Sequence, residues 1–291
     1  MRRIERLIAN NLKKILFVVG LSIFAIYLYT FDFRLLEDIV LEDIVLRMLI
    51  ITFLVMVFFI SRAVRWYVLL NSIGVKVPFK KLYIINSVAL GVGIYTPAYL
   101  GEAIKLQLLK TSEGIKRRVT LQLFMLEKIF DLFTVLLFAL FGGFVLNYIS
   151  LRFVSFLLVF CFLFFVFFKS IILKKISVMR QINYKVLFTI FIISVISWLT
   201  IIYTWVILAD IIQVSANMVE MMLVNSLSTL VILLSFVPGG LGFLEISNSY
   251  FISKVFSVDL TTGLLFALLV RLYTIYVLLI GLFHLLFTRR N

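Results

Sequence analysis

The chain has 291 residues, of which 64% are hydrophobic and 14% charged. That leaves too little polar side chain to cover a water-facing surface and excludes a soluble globular domain. The formal net charge is +14, but the basic residues gather in short segments between apolar runs, which is a membrane-orientation pattern and excludes nucleic acid as the expected partner. One cysteine and one histidine, Cys161 and His284, rule out a disulfide framework and a Cys/His metal cluster. Both lie in apolar helical runs, where packing or lipid contact is the plain reading. No cofactor is expected.

A bilayer crossing takes roughly 20 apolar residues, and the chain offers such runs in order. A basic N-terminal stretch (Arg2, Arg3, Arg6, Lys13, Lys14) precedes the first, Ile15 to Phe31, and reads as a retained signal anchor because no small-residue cleavage site follows. An acidic connection then repeats Leu-Glu-Asp-Ile-Val, as Leu36 to Val40 and Leu41 to Val45, and suggests an interfacial helix. Runs follow at Arg47 to Leu70, Val119 to Leu146, Leu151 to Phe168, Val186 to Ala209 and Leu260 to Phe287. Two more, Leu82 to Leu109 and Val219 to Val255, are interrupted near the middle by Pro and Gly.

Of the 28 Lys and Arg residues, 20 fall in five places: the N-terminus, Lys76 to Lys81, Lys105 to Arg118, Lys169 to Lys185, and Arg289-Arg290. The positive-inside rule assigns all five, and hence both termini, to the cytoplasm of a multi-pass cell-membrane protein. The acidic Phe31 to Leu46 and the base-free Asp210 to Glu220 belong outside. The first interrupted run, flanked by cytoplasmic bases on both sides, must then enter and leave by the same face, and the second by the opposite face. The expected fold is all-α: a single transmembrane domain over 1–291, built as an inverted-topology repeat of three spans plus one Pro/Gly-broken hairpin in each half, about 15–146 and 151–287.

The halves also repeat particular residues. Trp66 precedes Asn86-Ser87 by twenty positions, and Thr96-Pro97-Ala98-Tyr99-Leu100-Gly101-Glu102 follows, with Lys128 26 beyond that Glu. Trp205 precedes Asn225-Ser226 by twenty, and Val237-Pro238-Gly239-Gly240-Leu241-Gly242-Phe243-Leu244-Glu245 follows, with Arg271 again 26 beyond. Broken helices with a carboxylate at matching places in two halves are the sequence pointer to a midplane transport site. Pro97, Gly101, Pro238, Gly239, Gly240 and Gly242 mark the breaks, where freed backbone groups are tolerable only if buried or lining water.

One charge at a bilayer centre costs at least about 2.5 to 3.5 kcal/mol, so Arg62, Arg65, Glu102, Glu127, Lys128, Asp131, Glu245 and Arg271 need partners. Glu127 and Asp131 share a helix face, with Lys128 about 100° round. The repeat mates Lys128 and Arg271, and Glu102 and Glu245, suggest two acid/base pairs about one cavity where the hairpins meet, with half-helix N-termini adding positive potential. Plainer readings stand beside these. Arg62 and Arg65 can snorkel to the interface beside Trp66, and Glu127, Lys128 and Asp131 can form a purely structural salt-bridge cluster. Asn86 and Asn225 read equally as interhelical hydrogen bonds or ligand contacts, and Gly91-x-Gly93 reads as close helix packing.

Thr96 to Glu102, Leu126-Glu127-Lys128-Ile129-Phe130-Asp131, and Val237 to Gly242 with Glu245 together resemble the lysylphosphatidylglycerol synthase transmembrane region family, across about Ile15 to Phe287. That family includes the flippase domain of the bacterial multiple peptide resistance factor. Lys128 stands where Arg is expected in the family's Glu-Arg pair, and Ala98-Tyr99 where Gly-Arg is common. The resemblance implies translocation of a polar lipid, a phospholipid or a polyprenyl-linked phosphate, between leaflets, with the paired hairpins holding the head group. It does not imply lipid synthesis, because in the synthases aminoacyl transfer belongs to a separate soluble domain; no other catalytic signature such as His-Glu-x-x-His or Gly-x-Ser-x-Gly appears either, so no enzyme is expected. The residues expected at the substrate are Glu102, Glu245, Lys128, Arg271, Glu127, Asp131, Asn86, Asn225, Arg62 and Arg65. Two other readings stay open: an ion-coupled transporter of a small solute, and a subunit recruiting a lipid-modifying enzyme or glycosyltransferase. Membrane lipids are the expected partners, with a homo-oligomer also open.

Overall fold

The computed structural model of the protein describes residues 44–150 and 182–284, with isolated positions between 18 and 29. The expected spans Ile15 to Phe31 and Leu151 to Phe168, the basic termini, most of the acidic doublet and Cys161 lie outside the described residues. Every element among the described residues is helical: α1 (Ile44–Ser72), α2 (Phe79–Ile94), a tight 3-10 segment (Pro97–Ala103, the first break), α3 (Ile104–Glu113), α4 (Arg117–Val145), α5 (Tyr184–Ile211), α6 (Met218–Ser235), a second 3-10 turn (Pro238–Gly240, the second break), α7 (Phe243–Phe256) and α8 (Leu260–Phe283). Five of them, α1, α4, α5, α6 and α8, are long and apolar enough to cross a membrane. The expected runs match these within a few residues. The second interrupted stretch contains α6, which meets the length for a crossing by itself, whereas α2 has 16 residues.

Helix starts follow local chemistry. The Asn183 side chain accepts from Val186 N at the start of α5. Asn217 and Glu220 form a reciprocal capping box on α6, and Asp259 accepts from Thr262 N to open α8, each meeting orphan donors of a first turn.

The breaks are as local as the caps. Pro97 lacks an N–H and disfavours helical backbone before it, and Thr96 is extended at φ −110°, ψ 154°. The Thr96 hydroxyl donates to Gly93 O at 2.7 Å and accepts from Gly101 N at 2.6 Å, stapling the break. A Cβ at Gly101 would lie 2.4 Å from Thr96 Cγ2, so only glycine fits under that staple.

Lipid tails are as apolar as leucine, so helix association here rests on close packing and polar contacts more than on water exclusion. α1 and α5 are the largest pair and run antiparallel: Arg47 bonds Asp210 at 2.5 Å, Ser61 bonds Ser197 at 2.6 Å, and Arg65 bonds Ser194 at 2.7 Å. α4 packs on α6 and α8 on α2, each through a glycine. A Cβ on Gly142 would stand 3.1 Å from Val219 O, and one on Gly91 3.1 Å from Gly281 Cα. Gly91 is thus a packing residue, as its sequence context suggested, and Gly93 makes room for Glu102, whose Cγ would be 2.5 Å from a Cβ there. His284 clasps the end of α8 to α2, with Nε2 3.1 Å from the Tyr83 hydroxyl.

The two limbs of the first interrupted stretch fold back on one another. Lys81, early in α2, pairs with Glu113 at the end of α3 and donates to Ser112 O at 3.2 Å. The two breaks also touch, with Tyr95 Cδ1 3.3 Å from where a Cβ on Gly239 would lie.

Candidate functional site

Seven charged side chains from four elements meet between α1, the first break, α3 and α4. Asp131 accepts from Arg62 Nη1 at 2.5 Å and from Arg65 Nη1 at 2.7 Å. Glu127 accepts from Arg65 Nη2 at 2.5 Å, Trp66 Nε1 at 2.8 Å and Lys105 Nζ at 2.6 Å. Glu102 accepts from Lys128 at 2.6 Å and from Lys105 at 3.3 Å. All are buried except Lys128, whose side chain is 30% exposed. The arrangement is a continuous chain in which each carboxylate joins at least two cations, and that is the condition under which charges persist in apolar surroundings.

Arg62 and Arg65 do not snorkel. They are 4% and 0% exposed and bind the α4 carboxylates. The assignment of Lys105 to a solvated cytoplasmic stretch is also corrected: its ammonium is buried between Glu102 and Glu127 and sits 4.9 Å from the Trp66 ring centroid. The available signal was its place three residues after Glu102, on the same helical face.

The second acid/base pair forms as spaced. Arg271 Nε donates to Glu245 Oε1 at 2.6 Å, and Arg271 Nη1 donates to Gly239 O at 2.9 Å, so the guanidinium caps a carbonyl that the break would strand. Glu245 lies in the first turn of α7, where the helix dipole favours an anion. The positive potential expected for a ligand at this half-helix is therefore met by the chain's own carboxylate.

A cavity of about 460 Å³ opens beside the first cluster. Arg62, Glu102, Lys128 and Asp131 form its charged wall, while Phe58, Leu90, Trp205, Val270 and others make most of the rest apolar, with Asn225, Thr229 and Thr274 as uncharged polar members. Leu100, Leu132 and Leu234 line it too, and they are 57%, 43% and 78% exposed on the outer surface of the bundle. The mouth therefore opens among exposed leucine side chains. The expected cavity with both ion pairs is asymmetric: Glu245, Arg271, Glu127 and Arg65 do not line it, and Asn225 does while Asn86 does not. The Asn86 amide instead donates to Leu82 O at 2.9 Å. Among the described residues, no group of three or more His, Cys, Asp and Glu side chains could hold a metal ion.

Comparison with known families decides what this arrangement belongs to. The family model described as the lysylphosphatidylglycerol synthase TM region matches residues 12–281. The chain belongs to that family. It is a multi-helix membrane protein of a family tied by its name to lipid handling, and the resemblance carried by the two broken segments extends over most of its length. A search of curated proteins found no match, and neither did a search of solved structures. Within the matched stretch, Glu102 in the first break and Glu245 just after the second each hold the base 26 residues further on.

Proposed function

We propose that this family member is a flippase-like transporter that moves a polar lipid, a phospholipid or a polyprenyl-linked phosphate, between membrane leaflets without catalysing chemistry. The observation that carries the reading is the cavity: one charged wall, mostly apolar walls elsewhere, and a mouth flanked by the exposed apolar side chains of Leu100, Leu132 and Leu234, which in a membrane would meet lipid. A head group with an attached chain has that same division, and a lateral mouth lets the chain stay in the bilayer while the head group crosses. A transporter of soluble solutes would instead need a vestibule closed to lipid, so the sideways mouth favours a lipid.

Several contacts support an inverted repeat in the membrane. The helices carrying Trp66 and Trp205 are antiparallel partners, and α4 on α6 is answered by α8 on α2. The outer ends of α2 and α3 touch, as a re-entrant hairpin requires. In this reading Lys128 takes the head-group phosphate at the cavity wall, while Arg271 and Glu245 hold the second break in shape.

The test is leaflet exchange of labelled lipids in proteoliposomes. Replacing Glu102 and Glu245 together by Gln is expected to abolish exchange while the protein remains inserted and monodisperse. A double variant that moves lipid at the wild-type rate would remove both breaks from the mechanism.

A further inference from the structure

We infer that a sodium ion binds beside the second break, in the place that the Lys105 ammonium takes beside the first. The site stands on the second break alone and does not need the lipid-translocation reading. Glu102 has a cation on each oxygen: Lys128 on Oε1 at 2.6 Å, and Lys105, three residues along the chain, on Oε2 at 3.3 Å. Its mate Glu245 differs. Arg271 brings Nε to 2.6 Å and Nη2 to 2.5 Å from one oxygen, Oε1, while Oε2 is buried with no hydrogen-bond partner. Three residues after Glu245 stands Asn248, where the first half has Lys105. Both amide atoms of Asn248 are buried without a partner as well.

Packing directs Asn248 into the groove between α6 and α8. A Cβ on Gly240 would meet Ile232 of α6 at 3.1 Å and Leu244 of α7 at 3.6 Å, which sets Leu244 toward α6. A Cβ on Gly263 of α8 would lie 3.0 Å from Ser249 Cα, which sets that side of α7 toward α8. At about 100° per residue, Asn248 lies about 40° round from Leu244 and about 100° from Ser249, between the two contacts. One turn before Ile232, on the same face of α6, is Ser228, whose hydroxyl is buried and unpartnered. Buried Ser194, Ser197 and Thr204 instead return theirs to carbonyls of their own helix. On α8, Ala267 stands midway between Gly263 and Arg271, the two residues that meet α7 at Ser249 and Glu245. Glu245, Asn248, Ser228 and Ala267 are each 0% exposed. Three unpartnered oxygens, Glu245 Oε2, Asn248 Oδ1 and Ser228 Oγ, are thus directed toward one groove with small side chains opposite Asn248.

Buried polar atoms are nearly always paired, and oxygens that include a carboxylate call for a cation. None of the three has surface that a water molecule reaches, which favours a bare ion, and sodium over the larger potassium. One carboxylate among neutral oxygens carries too little charge for calcium, which takes several carboxylates, and suits a hard monovalent ion. The charge also matches the first half. There Arg62, Arg65, Lys105 and Lys128 face Glu102, Glu127 and Asp131, an excess of one positive charge, and sodium beside Glu245 and Arg271 gives the same excess. Broken helices at a repeat interface are a general setting for sodium in membrane transporters.

The test is binding of radioactive sodium to purified full-length protein in detergent, with ionic strength held by choline chloride. Saturable binding is expected, displaced by unlabelled sodium about tenfold better than by potassium. Asn248→Leu should abolish it, and Glu245→Gln should weaken it about tenfold or more. Asn248→Lys, which restores the arrangement of the first half, should also lose sodium binding, yet unfold near the midpoint of sodium-saturated wild type. Should Asn248→Leu fail to fold, Ser228→Ala provides the smaller change and is expected to weaken binding several-fold. Absence of saturable binding by monodisperse wild type overturns the proposal, as do displacement by potassium as effective as by sodium and binding that survives both Asn248→Lys and Ser228→Ala unchanged. Lipid movement plays no part in this readout, so its failure leaves the transport reading untouched.

Discussion

Lys105 and Lys128 are both lysines on the Glu102 carboxylate, yet their surroundings assign them different work. Lys105 is fully buried and also holds Glu127. Removing it leaves two buried carboxylates short of a partner, a change that costs about 3 to 5 kcal/mol in buried pairs. Lys105→Met is therefore expected to lower the unfolding midpoint in detergent sharply. Lys128→Met, at a side chain 30% exposed to the cavity, should cost far less stability while stopping exchange. If the two variants melt alike, the division between brace and binding residue is wrong. Arg65 makes a related case, because its guanidinium reaches Asp131, Glu127 and Ser194 at once. Lysine at this position has no planar fork, so Arg65→Lys should behave as a loss of partners.

At the scale of elements, two kinds of local chemistry set how the helices start and how closely they pass. Gly281 lies against Gly91 and Ser87, where a Cβ would be 2.9 Å from Gly91 Cα and 2.8 Å from Ser87 O. Gly281→Leu must push α8 off α2, and overpacking of this kind costs about 1 to 3 kcal/mol. A lowered melting point is the expected result, and an unchanged one would mean that this contact does not hold the helices together. Asp259 opens α8 by accepting from Thr261 Oγ1 and Thr262 N, and these hydrogen bonds hold its carboxyl below the ordinary 3.8. A depressed carboxylate contributes stability that is present above the ordinary value and lost as pH falls through the depressed one. The group is almost fully in water, so the contribution is small. Asp259→Ala should remove it and flatten the acid limb of the stability profile below pH 3.8, the ordinary value of that group. A wild-type acid limb in the variant would show that the cap is not what titrates there.

For the whole molecule, the proposed orientation is checked by thiol labelling on a Cys161→Ser background. Gln213→Cys, between α5 and α6, is expected to react with an impermeant reagent from outside intact cells, and Ser112→Cys, at the end of α3, only after permeabilisation. Labelling of both from one side would refute the inverted arrangement. The cavity mouth makes a separate demand: narrowing it with Leu132→Trp and Leu234→Trp should slow lipid exchange without altering folding, and unchanged exchange would place the lipid path elsewhere. The spans were legible from composition because the length of a bilayer crossing and the hydropathy of a helix are properties of consecutive residues, and α1, α4, α5 and α8 lie where the apolar runs placed them. The breaks were legible as well, since Pro97, Gly101 and Pro238 to Gly242 act on their own backbone, and the spacing of 26 anticipated the partners of Glu102 and Glu245. The burial of Lys105 was not legible, because a lysine that leads into the basic stretch up to Arg118 has the same local sequence whether it faces water or Glu127. Nor was the asymmetry of the cavity, which Glu102 lines and Glu245 does not, although the sequence treats them as mates. Sequence alone determined which stretches are apolar, where they break and which charges need partners. Only the packing of helices far apart in the chain decided which partners they found and which of them face the cavity, because burial depends on what other elements bring to the same place.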